Sequence, residues 1–249
     1  MHSASSAAST SSPTGAWHLS RPSASSPSPA EPACPVARRE RLRRGELMSV
    51  EDASKAYAER AREYADLLGS ISATAEQDRE LIGSWAHRIE GPVLDVGCGP
   101  GHWTAWLRDR GVDIGGVDPV REFLAIAADR HPGCEFRHGT AEALDVASAS
   151  LGGVLAWYSL IHLEPSRLPV ALAELARCIR PGGGLLVGFF EGARVAAFEH
   201  RVITGYTWPI AELAALIDGA GFAVQEAHAR TDSGARPHGA LVAVRVSGD

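Results

Sequence analysis

From residue 50 onward the chain alternates between two hydrophobic periods. The segments "VEDASKAYAERAREYADLL" and "AEQDRELIGSWAHRI" space their apolar residues three and four apart, which predicts two amphipathic helices. Short apolar runs follow, each leading into a stretch of helical period: "PVLDVG" into "HWTAWLRDR", "VDIGGVD" into "VREFLAIAADR", "CEFRHG" into a short turn, "GGVLAWYS" into "SRLPVALAELARCI". The run "GLLVGFF" then leads to the helix "PIAELAALIDGA", and "FAVQEAHAR" and "ALVAVRV" close the pattern. Strands alternating with helices predict an α/β fold: a doubly wound, mostly parallel seven-stranded sheet with helices on both faces. No crossover helix separates the last two runs, so they should pair antiparallel through the loop "TDSGARPHG".

Residues 1–47 break from this pattern. They are rich in Ser, Ala and Pro, end in the basic run "RRERLRR", and read as a disordered tail. The tail lacks the apolar stretch of a secretory signal and the amphipathic Arg helix of a transit peptide. Folding is expected over 48–249, with Ser49 as a helix cap and Asp52 three positions on. Met48 is a candidate initiator, because the codons of Gly45 and Glu46 are purine-rich as a ribosome-binding site is. Peptides from before Met48 in the native protein would reject that idea.

The formal net charge of −6 supplies no general attraction to phosphate, so neither nucleic acid nor an anionic membrane is expected as main partner. The longest apolar stretches, "LGGVLAWYSLIHL" and "GGGLLVGFF", are too short and Gly-rich to span a bilayer. Cys34, Cys98, Cys134 and Cys178 show no paired spacing and read as free thiols of a cytoplasmic protein, with no metal site.

The chemistry concentrates in "GPVLDVGCGPGHWT", where Gly97, Gly99 and Gly101 follow the first strand directly. Bare backbone at that place admits a ligand that a β-carbon would block, at the strand end where open α/β sheets bind nucleotides. The spacing is G-x-G-x-G; a dinucleotide fingerprint needs its third glycine at position 102, which is His102. Asp118 ends the second strand, at the distance from which a carboxylate reaches ribose hydroxyls, and it also suits a helix cap before Pro119.

"VLDVGCGPG" with "GVD" downstream resembles the class I S-adenosylmethionine-dependent methyltransferases, small-molecule type, and three later segments agree in order: "FRHGTAEAL", "GGVLAWYSLIHL" and "LARCIRPGGGLLVGF". The resemblance implies their Rossmann-like fold, methyl transfer to a small-molecule acceptor and S-adenosylmethionine as cofactor. It implies cofactor roles for Asp95, Gly97, Cys98, Gly99, Gly101, Asp118, Thr140, Ala141 and Glu142, with Trp157 beside them. Tyr57 and Tyr64 lie seven apart on one helix face, suited either to a lid over the cofactor (the helical region at about 50–90) or to anchoring that helix on the core. The family's fourth-strand Asp is replaced by the Gly152–Gly153 region, and "AWYS" lacks the turn that holds a nucleobase amine.

A hydroxyl acceptor needs a base near neutral pH, and His162 in "YSLIHLEP" is the candidate; it is equally a residue that shapes the pocket. The segment 191–208 reads as an insertion covering the substrate, so Glu191, His200, Tyr206 and Trp208 join His162 as pocket candidates. For Tyr206 and Trp208 the alternative is packing of the next helix. His87, His131, His228 and His238 read as solvated or structural. Three other functions stay open: a cofactor-binding protein without turnover, a methyltransferase of protein or RNA, and a dinucleotide-dependent dehydrogenase.

Overall fold

A computed structural model describes residues 60–67, 69–200, 204–232 and 234–247. The tail and Tyr57 lie outside the described residues. After a helical stretch at 60–67, the elements are α1 (Glu76–His87), β1 (Val93–Val96), α2 (His102–Arg108), β2 (Ile114–Asp118), α3 (Arg121–Arg130), β3 (Glu135–His138), β4 (Leu151–Trp157) and α4 (Leu168–Cys178). There follow β5 (Ile179–Glu191), β6 (Ala196–Glu199), β7 (Thr204–Trp208), α5 (Ile210–Gly219), β8 (Phe222–Arg230) and β9 (His238–Arg245). Among the described residues no helix is long and apolar enough to cross a membrane.

The strands β3-β2-β1-β4-β5 lie side by side and parallel. β9 pairs antiparallel with β5 and with β8, as expected from the missing crossover helix. Alternation along the central strands divides the core in two. Val154, Ala156, Leu185, Val187, Leu241 and Ala243 face one cluster with α4 and α5; Leu155, Leu186, Ala240 and Val242 face the other with Ile82 and Trp85 of α1 and Trp103 of α2. In α4, Leu168, Ala171, Leu172, Leu175 and Ala176 are buried at helical spacing, and Pro169 occupies the first turn, where its missing N–H costs nothing.

Among the described residues the sheet has nine strands, two more than the sequence reading expected. The extra pair is a hairpin, β6–β7, built from the segment read as a cover. Its origin is the length of β5. Pairing with β4 ends at Trp157↔Gly188, while β5 continues, and β7 pairs parallel with Phe190 and Glu191. The chain is tight at Gly152, near the start of β4: a β-carbon on it would lie 2.0 Å from the Glu90 carbonyl oxygen.

Candidate active site

The parallel strands β1, β2, β4 and β5 all end at one edge of the sheet, and a cavity of about 460 Å³ opens there. Its floor is the glycine loop. Gly97, Gly99 and Gly101 all have positive φ (76°, 53° and 82°), but for different reasons. A β-carbon on Gly97 would collide with Ser159, and one on Gly101, the cap residue of α2, would stand 2.5 Å from the Phe136 ring. Only Gly99 of the three faces open space. The expectation that all three make room for a ligand is thus corrected: Gly101 does not line the cavity, and its bareness serves packing.

Two buried carboxylates lie beside the loop. Asp118 accepts from the Gly99 amide at 2.8 Å and from the Val120 amide at 2.8 Å, so β2 holds the loop in place. Burial pushes its pKa up to about 6 against the pull of those two bonds. Asp95 accepts from the Thr104 hydroxyl at 2.7 Å, and burial, with the Asp118 charge adding, pushes its pKa up to about 7. Such a site favours a cationic ligand, whose charge replaces the lost hydration. Two cavity residues also carry buried polar atoms without a hydrogen-bond partner, Ser159 Oγ and His102 Nδ1; burial holds His102 neutral, with its pKa down to about 4.

The opposite side is aromatic and histidine-rich. His162 lines it, and because a carbonyl only accepts, its Nδ1–H donates to Thr204 O at 3.1 Å. Burial lowers its pKa to about 4, and its ring lies 5.3 Å from that of His200, also on the wall. Tyr158, immediately after β4, hydrogen-bonds His238 Nδ1. Arg230 Nη1 donates to Asp78 Oδ1 at 2.5 Å and Nε to Asp232 Oδ2 at 2.9 Å. Tyr158, His238, Arg230 and Asp78 all line the cavity. Sequence reading missed this group because its members come from four separate elements; the helical and strand periods around them carry no mark of it.

Of the other expected residues, Tyr64, Cys98, Thr140, Ala141 and Trp157 line the cavity. Tyr64 packs its ring 5.4 Å from Phe123, and Cys98 packs its thiol over Gly116, where burial keeps it protonated. Four residues do not reach the wall. Glu142 is held by Arg167 in a two-bond pair at 2.9 and 2.6 Å. Glu191 and Tyr206 are engaged in strand pairing, and Trp208 is 4% exposed in the main core. His238, read as solvated or structural, belongs to the cavity instead. Among the described residues no group of three or more His, Cys, Asp or Glu is placed to hold a metal ion.

The strand order and the cavity at the carboxyl edge define an open α/β fold with a cofactor-type site. Residues 93–183 match the family described as methyltransferase domain. An uncharacterized methyltransferase of Mycobacterium tuberculosis is 38% identical over 93 residues, 37% of each chain. A malonyl-[acyl-carrier protein] O-methyltransferase of Serratia marcescens is 31% identical over 130 residues, 51% of this chain and 50% of the relative. The chain thus spans between about a third and a half of the curated relatives it matches. Among solved structures, a Burkholderia thailandensis 1,6-didemethyltoxoflavin-N1-methyltransferase, with its substrate and S-adenosylhomocysteine bound, superposes with a TM-score of 0.64 at 21% identity, covering 89% of this chain and 94% of that one. Residues 93–183 thus carry a methyltransferase domain, and the whole described chain shares the fold of S-adenosylmethionine-dependent methyltransferases.

Proposed function

We propose that this protein transfers the methyl group of S-adenosylmethionine to a small-molecule acceptor. The observation that carries the reading is the Gly99–Asp118 pair: open space at a bare backbone position, bordered by a buried carboxylate whose second strand places it at the loop. The residues present fit the group. Asp118 would take the ribose hydroxyls, and Asp95 with the Gly97–Gly99 backbone would meet the cationic amino-acid part. Thr140 and Ala141 would flank the adenine. When bound, the cofactor supplies a methyl group already activated on a sulfonium. The chain's task is to orient a nucleophile behind it and exclude water.

Support for a small acceptor comes from the aromatic wall formed by Trp157, Tyr158 and Phe190, and from a protein of like fold named for 1,6-didemethyltoxoflavin. We read His162 as the strut that holds the β6–β7 hairpin to the sheet edge, since its Nδ1–H is committed to the first residue of β7. The free thiols Cys98, Cys134 and Cys178 agree with a cytoplasmic enzyme. Methyl-labelled S-adenosylmethionine, incubated with the protein and a cell extract split into small molecules, RNA and protein, tests the reading. Label in the small-molecule fraction supports it; label confined to RNA or protein contradicts it.

A further inference from the structure

We propose that Tyr158 and His238 form the proton path on the acceptor side of this cavity, and that the acceptor is a neutral, planar molecule with a phenolic, enolic or ring N–H group rather than a carboxylate. The inference rests on the methyltransferase reading above.

Three observations converge on it. The first is backbone strain: Tyr158 has φ 54°, in the left-handed region that non-glycine residues avoid. It is held there by its amide, which donates to Gly188 O at 3.0 Å. Strain of this kind persists where surrounding contacts over-determine it, and it concentrates at working sites. Here it follows the last residue of β4 and accompanies a hydroxyl set on His238, at the start of β9.

The second observation is charge. Among the described residues the cavity wall carries three carboxylates, Asp78, Asp95 and Asp118, against one guanidinium, Arg230. That guanidinium is already shared between Asp78 and Asp232. An acceptor carboxylate would therefore find no guanidinium of the wall open to a two-bond pair. A neutral acceptor needs none, but it must shed a proton as it is methylated.

The third is a group able to take that proton. Burial lowers the His238 pKa, so its imidazole is neutral near pH 7 and has a lone pair to offer; Arg230 adds to the lowering, while Asp78 and Asp232 oppose it. Those three, with the Tyr158 hydroxyl, are the polar groups that bear on it. The rings of Trp157 and Phe190 stand 5.4 and 4.9 Å from Tyr158, giving a planar acceptor aromatic faces and edges to pack on. In the step, the acceptor's O–H or N–H bond breaks as its bond to the methyl carbon forms, and the carbon–sulfur pair stays on sulfur. The proton moves to the Tyr158 oxygen while the proton of Tyr158 moves to His238 Nδ1. Tyr158 touches the acceptor; His238 acts through it.

The test uses the full-length protein saturated with sinefungin, a cationic analogue with no methyl to transfer, titrated at about pH 6 with 4-nitrophenol and with 4-nitrobenzoate. The phenol should bind at least about tenfold more tightly. Tyr158→Phe should weaken the phenol about fivefold or more, by loss of its hydrogen bond. His238→Gln keeps an acceptor for the Tyr158 hydroxyl but takes no proton. It should therefore retain phenol binding while the absorbance of bound phenolate, followed between about pH 5 and 7, falls to under about a third of the parent's. Tighter binding of the benzoate, no binding of the phenol, or an unchanged phenolate signal in both variants would overturn the proposal. Failure of sinefungin itself to bind is a separate result, and it removes the methyltransferase reading as well.

Discussion

The β-carbon of Ser159 lies 2.2 Å from the point where Gly97 would carry one. The chain leaving β4 thus presses directly on the loop leaving β1, and one bare backbone position lets both strand ends meet at the cavity. Gly97→Ala must both clear that contact and hold φ 76°, so we expect a loss of about 2–4 kcal/mol in urea unfolding, and Gly101→Ala should behave alike against Phe136. Gly99→Ala has open space and should lose only about 1 kcal/mol, yet weaken S-adenosylmethionine about tenfold by calorimetry. Equal stability losses at all three glycines would contradict the division of roles.

Asp95 and Asp118 titrate at about 7 and 6, above the ordinary carboxylate range, because burial disfavours their charge. Between about pH 4 and 7 the folded protein therefore binds more protons than the unfolded chain, and stability from these groups falls as pH rises through that window. Asp95→Asn keeps an acceptor for Thr104 and should be more stable than the parent at about pH 8, by about 1–3 kcal/mol, with the gap closing near pH 4. Binding of the cationic cofactor at about pH 6.5 should release protons, seen as a heat that differs between buffers of different ionisation enthalpy. Uptake of protons would count against the assignment.

Arg230 joins the end of β8 to α1 through Asp78, with side chains only 22% and 15% exposed. A pair so little solvated is worth more than a surface bridge, and removing one partner strands the other charge. We expect Asp78→Ala to cost about 1–3 kcal/mol in urea unfolding; a change under a few tenths would show the pair to be solvated in practice.

His162 should not shape the pH–rate profile. With its pKa down at about 4 and Nδ1–H on Thr204, it stays neutral across the working range. His162→Ala should speed limited proteolysis near the β6–β7 hairpin while reducing methyl transfer by under about tenfold. A loss of about 10²-fold or more, with the hairpin intact, would restore it as the base.

The parts of this protein that were legible in the sequence are those written in consecutive residues. The Gly97–Gly101 loop, Asp118 at a strand end and the antiparallel closing strands each follow from local pattern and short range. The hairpin was not legible, because "AAFE" and "TGYTW" are short and lack clean alternation; what summons them is the unpaired end of β5. Trp208 illustrates the limit of residue type, since an aromatic after a loop reads equally as pocket wall or core, and here it is core. Tyr158 and His238 stand 80 positions apart and Asp78 and Arg230 152 apart. Only the shared flank of β5, with β4 on one side and β9 on the other, brings the first pair together.

The most direct test of the central claim is calorimetric titration of the full-length chain with S-adenosylmethionine, beside Asp118→Ala and Asp118→Asn, the latter keeping one acceptor for the Gly99 amide. Loss of a charged hydrogen-bond partner should cost about 1.5–3 kcal/mol, a 10- to 150-fold rise in Kd for the alanine variant, roughly, with the asparagine variant between it and the parent. A folded parent that does not bind, or an alanine variant that binds as tightly as the parent, would contradict the account.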